Sequence, residues 1–145
     1  MEAFIEAIEN KYRAGVRYHN SWHEADVVNN IWMLMAGSKK VVTPLEQFAG
    51  FVAAMVHDVD HGGFSNNYLV QTGSALALRY NDASPLENMH LSTALEVAKS
   101  KFETDIFATL PENVYRATRK RIIQIVIGER RGAKEERSEG GYFRV

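Results

Sequence analysis

The sequence predicts an all-α protein, a compact multi-helix bundle in a single domain. Apolar residues recur at helical spacing through most of its 145 residues. Two proline-containing start signals, Thr43-Pro44-Leu45-Glu46 and Ser84-Pro85-Leu86-Glu87, combine an N-cap, a proline at the first helical position and a capping-box glutamate. No stretch alternates apolar and polar residues for long enough to predict a strand.

The elements follow in order. Phe4, Ile5, Ile8 and Tyr12 repeat at helical spacing and predict a first amphipathic helix. His19 and His23 share a face with Val27, Ile31, Leu34 and Met35, so both histidines are expected to open a second helix. Gly37-Ser38-Lys39-Lys40 reads as a loop. Behind the Thr43 cap, Phe48, Phe51, Val52 and Met55 form an apolar stripe that runs directly into His57-Asp58, with Gly62-Gly63 ending the helix. Tyr68, Leu69, Leu76, Ala77 and Tyr80 suit one or two short helices between Asn67 and Tyr80. The Ser84 cap starts a helix carrying His90, Leu91, Leu95 and Ala98. Pro111-Glu112 opens a last helix, with Val114, Thr118, Ile122, Ile125 and Val126 inside and the basic run Arg116, Arg119, Lys120, Arg121 on a solvated face. From Glu129 to Gly141 nearly every residue is charged or glycine. Such a segment cannot bury an apolar face, so 129–145 is expected to be a disordered tail on a folded unit at 1–128.

At 46% apolar and 24% charged, the composition is that of a soluble globular chain. A net charge of −1 gives no electrostatic case for nucleic acid or an anionic membrane as partner. No apolar run approaches the roughly 18 residues of a membrane span. Glu2, Glu6 and Glu9 do not suit a signal peptide. The absence of cysteine excludes disulfides and Cys-ligated zinc. A cytoplasmic location is the default expectation, and nothing in the sequence sets an oligomeric state.

Four of the five histidines fall in Tyr18-His19-Asn20-Ser21-Trp22-His23 and His57-Asp58-Val59-Asp60-His61, each segment holding a pair at i, i+4. On a helix that spacing puts two imidazoles on one face. A lone histidine beside apolar residues is more often structural than a ligand, but the set reverses that balance. Asp58 follows a stripe aimed at the core, where an unpaired carboxylate would be costly. A metal ion supplies the missing partner charge. Imidazole with carboxylate suits zinc, and a bridging carboxylate with water ligands suits a neighbouring magnesium or manganese. Glu87 is fully accounted for as a capping-box glutamate, with a role beside a metal compatible but not required. His90, one turn further on, reads equally as core or site, and Met33/Met35 and Phe48/Phe51 are most simply core.

Three ordered motifs carry a specific resemblance. Tyr-His-Asn-x-x-His-x-x-Asp-Val at Tyr18 to Val27 resembles the class I cyclic nucleotide phosphodiesterases, helical metal-dependent phosphohydrolases of the HD-domain type. So do His-Asp-x-Asp-His-x-Gly-x-x-Asn at His57 to Asn66 and Leu-Ala-x-x-Tyr-Asn-Asp-x-Ser-x-Leu-Glu-Asn-x-His at Leu76 to His90. The likeness runs from about Phe4 to about Ile127. It implies hydrolysis of a cyclic nucleotide substrate, cAMP or cGMP, to the 5′-nucleotide. It implies His19 as the general acid for the leaving 3′ oxygen, with Tyr18 and His19 contacting substrate. It also implies His23, His57 and Asp58 as ligands of a tight metal, usually zinc, and Asp58 as the bridge to a second, magnesium or manganese. His61, Glu87 and His90 would surround them and orient waters, ligands and the acid. Asn66 matches a family position and is expected to be structural.

The chemistry is coherent with the residues themselves. Cleaving a cyclic phosphodiester needs an activated water, compensation of phosphoryl charge and a proton for the leaving alkoxide. Two metals supply the first two, and a histidine titrating near neutrality supplies the third.

The departures are equally specific. Met89 stands where the family has the first of two adjacent histidines, and Gly62-Gly63 replaces Pro-Gly. Glu129-Arg130-Arg131 replaces a threonine-containing segment. The resemblance implies a further aspartate ligand, a base-binding glutamine and apolar walls beyond Val145, and helices before Met1, so 1–128 reads as a partial catalytic domain. Two other hypotheses stay open: an inactive or regulatory fragment that at most binds metal, and a different H…HD…D phosphohydrolase.

Overall fold

The computed structural model describes residues 1–37 and 42–128. Among them are seven α-helices and no strand: α1 (Glu2–Glu9), α2 (Ser21–Gly37), α3 (Pro44–Val56), α4 (Asn66–Gln71), α5 (Ala75–Arg79), α6 (Pro85–Ser100) and α7 (Glu112–Ile127), with a 3-10 turn at Phe102–Thr104. The all-α expectation is met, and the stretch from Asn67 to Tyr80, expected to hold one or two short helices, holds two. The proposed tail at 129–145, and Ser38 to Lys40 of the expected loop, lie outside the described residues.

Helix α3 is the centre of the molecule. It buries Ala49, Gly50 and every residue from Val52 to Val56, and lies between α2 and α7, with α1 and α6 also against it. Its small residues let neighbours approach closely: a Cβ at Gly50 would collide with the Met35 side chain of α2. Phe4 and Ile8 of α1, Leu91 and Val97 of α6, Phe107 from the connection before α7 and Ile122 of α7 complete the core around Val52, Val56 and Val59. Each such large side chain contributes roughly 1.5–3 kcal/mol by leaving water.

The first capping box forms as expected. Glu46 N–H donates to Thr43 Oγ1 and Thr43 N–H donates to Glu46 Oε2. Helix α7 closes on Gly128 in the left-handed conformation, φ 74°, where glycine carries no Cβ penalty.

Several boundaries differ from the sequence expectation. The second capping box does not form: Ser84 is left-handed (φ 44°) and makes no cap hydrogen bond with its side chain. Glu87 is instead drawn to Asn66, whose Nδ2 donates to Glu87 Oε2 at 2.8 Å. Helix α1 stops at Glu9, before Tyr12, yet the Tyr12 hydroxyl still reaches the Met55 carbonyl at 3.3 Å. Ile5, Leu34 and Ile125, expected on inner faces, are exposed. Arg121 leaves the solvated basic face, its guanidinium donating to Glu46 Oε1 at 2.6 Å. That pair ties α7 to the first turn of α3.

Candidate active site

Two irregular segments meet over the end of α3, and the histidines are on them rather than along two helix faces. His19 precedes α2 instead of opening it. Asn20 is the reason: its Oδ1 accepts from Trp22 N–H at 3.0 Å and His23 N–H at 3.2 Å, acting as the cap. Its Nδ2 meanwhile donates to the carbonyls of Val16 and Arg17. His23 therefore sits in the first turn of α2.

Helix α3 ends at Val56, earlier than the Gly62-Gly63 stop expected, because His57 intervenes. The His57 ring N–H donates to the Ala54 carbonyl at 2.8 Å, the acceptor a continuing helix would offer to the backbone N–H of Asp58. Asp60 then turns left-handed at φ 61° and Gly63 at φ 83°. His57 and His61 consequently do not share a helix face.

The fold nevertheless gathers the expected residues. His57 Nε2 lies 3.2 Å and His23 Nε2 3.6 Å from Asp58 Oδ2, and His90 Nε2 lies 4.0 Å from Asp58 Oδ1. Ligand atoms of His23, His57 and Asp58 all fall within 4.8 Å of one another, and so do those of His19, Asp58 and His61. His19 stacks on His61 with ring centroids 3.9 Å apart. Tyr18 is exposed, its ring 4.5 Å from His23 and 5.0 Å from His19. Glu87 and Asn66 line the same open cleft of about 470 Å³ as His19, His57, Asp58, His61 and His90. Asn66 has the structural part expected of it, accepting from Leu86 N–H at 2.9 Å while it donates to Glu87.

Backbone partners assign the imidazole tautomers. His57 Nδ1–H donates to Ala54 O, and His90 Nδ1–H donates to Val59 O at 2.6 Å, so each turns its Nε2 toward Asp58. His61 is opposite: Gly63 N–H donates to its Nδ1 at 2.9 Å, leaving the proton on Nε2. The two clusters therefore differ in kind. His23, His57 and Asp58 offer two imidazoles and a carboxylate, the donor chemistry of a divalent-metal site. In the other cluster His61 is a hydrogen-bond donor, and a ring carrying its proton there does not ligate.

Burial works to raise the Asp58 pKa, but the His57 hydrogen bond and the nearby imidazoles outweigh it and hold the carboxyl below its ordinary value. Burial works against charge on His57, but Asp58 and the Ala54 carbonyl outweigh it and raise that pKa. His61 and His90 are lowered, chiefly by burial, which keeps them neutral at neutral pH.

Three residues near the site carried no sequence signal strong enough to single them out. Glu24, next to His23, is pushed up to about 7, mainly by burial. It faces an apolar groove lined by Met1, Ile5, Val28, Trp32 and Met55. Arg13 and Asp60 join the two histidine-bearing segments by an ion pair at 2.7 Å. Asp60 lies inside a motif already noticed, but its partner is 47 residues away.

Residues 18–128 match the 3'5'-cyclic nucleotide phosphodiesterase family. A 3',5'-cyclic-AMP phosphodiesterase 4C of Mus musculus is 39% identical over 127 residues, covering 86% of this chain and 18% of that protein. The Rattus norvegicus protein of the same name is 39% identical over 126 residues, covering 86% of this chain and 23% of its own length. A high affinity cAMP-specific and IBMX-insensitive 3',5'-cyclic phosphodiesterase 8A of Homo sapiens is 34% identical over 129 residues, 88% of this chain and 16% of that protein. The chain thus spans less than a quarter of the length of these relatives. With the matched region running from the Tyr18-His19 motif to the end of α7, the chain belongs to the 3'5'-cyclic nucleotide phosphodiesterase family.

Proposed function

We propose that this site hydrolyses a 3',5'-cyclic nucleotide, cAMP or cGMP, to the 5'-nucleotide. The observation that supports it most directly is a metal-type cluster, His23, His57 and Asp58, with His19 lining the same open cleft as His57 and Asp58. Two imidazoles and a carboxylate suit zinc, and Asp58 would share its carboxylate with magnesium or manganese. Bound there, the metals would supply Lewis acidity toward the phosphoryl oxygens and an activated water at neutral pH. His19 donates the proton to the 3′ oxygen as the P–O3′ bond breaks. His61 stacks on His19 and fixes the plane of that ring. The Asn66–Glu87 hydrogen bond and buried His90 hold the opposite wall of the cleft. Tyr18, exposed beside His19 and His23, contacts the substrate. The relatives' names make cAMP the first substrate to test.

The partial catalytic domain is taken as 1–128, and the cytoplasm is the default location, which fractionation checks. No described helix is long and apolar enough to cross a membrane. Purified protein loaded with zinc and magnesium should convert cAMP or cGMP to the 5'-nucleotide, followed by chromatography, and lose that activity with a chelator. Stoichiometric zinc with no turnover of either nucleotide would favour a second reading, a fragment that binds metal without catalysis. The feature supporting that alternative is the exposed apolar surface of Trp32, Met33, Leu34 and Ile125 on α2 and α7, which in a working domain would pack against further structure.

A further inference from the structure

The segment carrying His19 and the segment carrying Asp58 and His61 touch at successive points. Arg13 Nε donates to Asp60 Oδ1 at 2.7 Å. A Cβ at Gly62 would lie 3.4 Å from Arg13 Nη1, so the guanidinium covers residues 60–62. One at Gly63 would lie 4.0 Å from Val16 Cγ2. His19 then stacks on His61. Within its own segment Arg13 is linked to the site by hydrogen bonds: Val16 N–H donates to Arg13 O at 3.1 Å, Asn20 Nδ2 donates to Val16 O at 3.2 Å, and Asn20 Oδ1 accepts from His23 N–H. Asp60 holds a left-handed backbone, φ 61°, that an L-residue adopts only when its surroundings favour it.

We propose that Arg13 is a positioning residue: its ion pair with Asp60 sets the register of the His19 segment on the Asp58–His61 segment, and so the place of the proton donor relative to the metal ligands. The proposal deepens the phosphodiester-hydrolysis reading above and rests on it for its catalytic consequence. Neither Arg13 nor Asp60 belongs to the His23/His57/Asp58 cluster. Their side chains are 55% and 36% exposed, and exposed ion pairs contribute little to global stability. The pair therefore acts on position more than on folding. A small misplacement of a reacting group is costly in rate even where it is trivial for stability.

The test uses the chain of residues 1–145 loaded with zinc, and Arg13→Ala, Asp60→Asn and Arg13→Lys. Asparagine tolerates the left-handed backbone, so Asp60→Asn removes the charge without disturbing φ. Imidazole proton and nitrogen NMR signals of His19 and His61, each in the ring current of the other, should move in Arg13→Ala and Asp60→Asn. Those of His57, the zinc stoichiometry and the melting temperature should stay, and Arg13→Lys should restore the signals in part. With magnesium and cAMP added, kcat should fall about tenfold in the first two variants with KM unchanged. Unmoved His19 and His61 signals would overturn the proposal, as would loss of zinc or of thermal stability in step with the signals. Signals that move as expected in a chain that hydrolyses neither cAMP nor cGMP would uphold the positioning and remove the hydrolytic reading instead.

Discussion

Asp58→Asn is the sharpest perturbation of the candidate site because it preserves shape and removes charge. Asp58 Oδ2 lies 3.2 Å from His57 Nε2 and 3.6 Å from His23 Nε2, so it faces both other candidate ligands at once. Structural zinc sites with four ligands bind with about 10–16 kcal/mol, so one ligand carries on the order of 3 kcal/mol. At 1.4 kcal/mol per tenfold, its loss weakens zinc binding by about 10²-fold. Asparagine keeps a carbonyl oxygen but no charge, so this substitution tests the charge of the ligand rather than the space it fills. The assay is competition with a chromophoric chelator at pH 7.5, with elemental analysis of the dialysed protein. His90→Ala is the internal comparison. His90 Nε2 is 4.0 Å from the other carboxylate oxygen and would orient Asp58 rather than bind metal. Its loss should cost about tenfold, at the low end for such supporting groups. Zinc affinity in Asp58→Asn within about threefold of the parent, under 1 kcal/mol, would refute the ligand assignment.

His19→Ala should leave zinc content intact while turnover falls by roughly 10²–10⁴-fold; metal loss matching that of His23→Ala would make His19 a ligand and end the division of labour. Ile122, 2% exposed in the core, should cost about 2–5 kcal/mol when truncated to alanine, measured by urea unfolding. Ile125→Ala, at an exposed position, should change stability by less than about 0.5 kcal/mol, and equal losses at the two positions would contradict the observed rotation of α7. The Glu46 carboxyl is held at about 2, first by the Thr43 N–H, then by Arg121 and the Thr43 hydroxyl. Its folded-state value is depressed, so the stabilisation is fully present above its ordinary value of 4.5 and is lost as pH falls through about 2. Glu46→Gln should flatten the dependence of melting temperature on pH across that window, and an unchanged slope would show that Glu46 does not carry it.

The helices were legible in the sequence because each rests on a local signal: the Thr43 capping box, the Pro85 and Pro111 starts, the apolar stripe through Val52 and Met55. Boundaries failed where a distant partner outbid the local one. Glu87 had a capping serine three residues away and bonds instead to Asn66, 21 residues away. His57 looked like a helix residue, and its own ring ends the helix by taking the Ala54 carbonyl. Leu34 and Ile125 matched the apolar period, yet period alone does not set the width of a buried face, and on α2 no residue is fully buried. The grouping of the site residues was legible from ordered motifs. The Arg13–Asp60 pair was not, because an exposed arginine in an irregular segment has no pattern to belong to.

Histidine identity alone does not say what each ring in this cleft can do; its main-chain partner does. The carbonyls of Ala54 and Val59 accept from the Nδ1–H groups of His57 and His90, which turns Nε2 of each ring toward Asp58. The Gly63 N–H does the reverse to His61, so the same side chain becomes a donor a few residues further along. The left-handed turns at Asp60 and Gly63 are what bring that N–H round to the ring. A straight helix through His57 and His61 would have set two equivalent imidazoles on one face. By ending the helix at Val56, the chain gives one of them to the His23/His57/Asp58 cluster and the other to the ring it stacks on, His19. The departure from helical geometry is thus what sends the two rings to different partners.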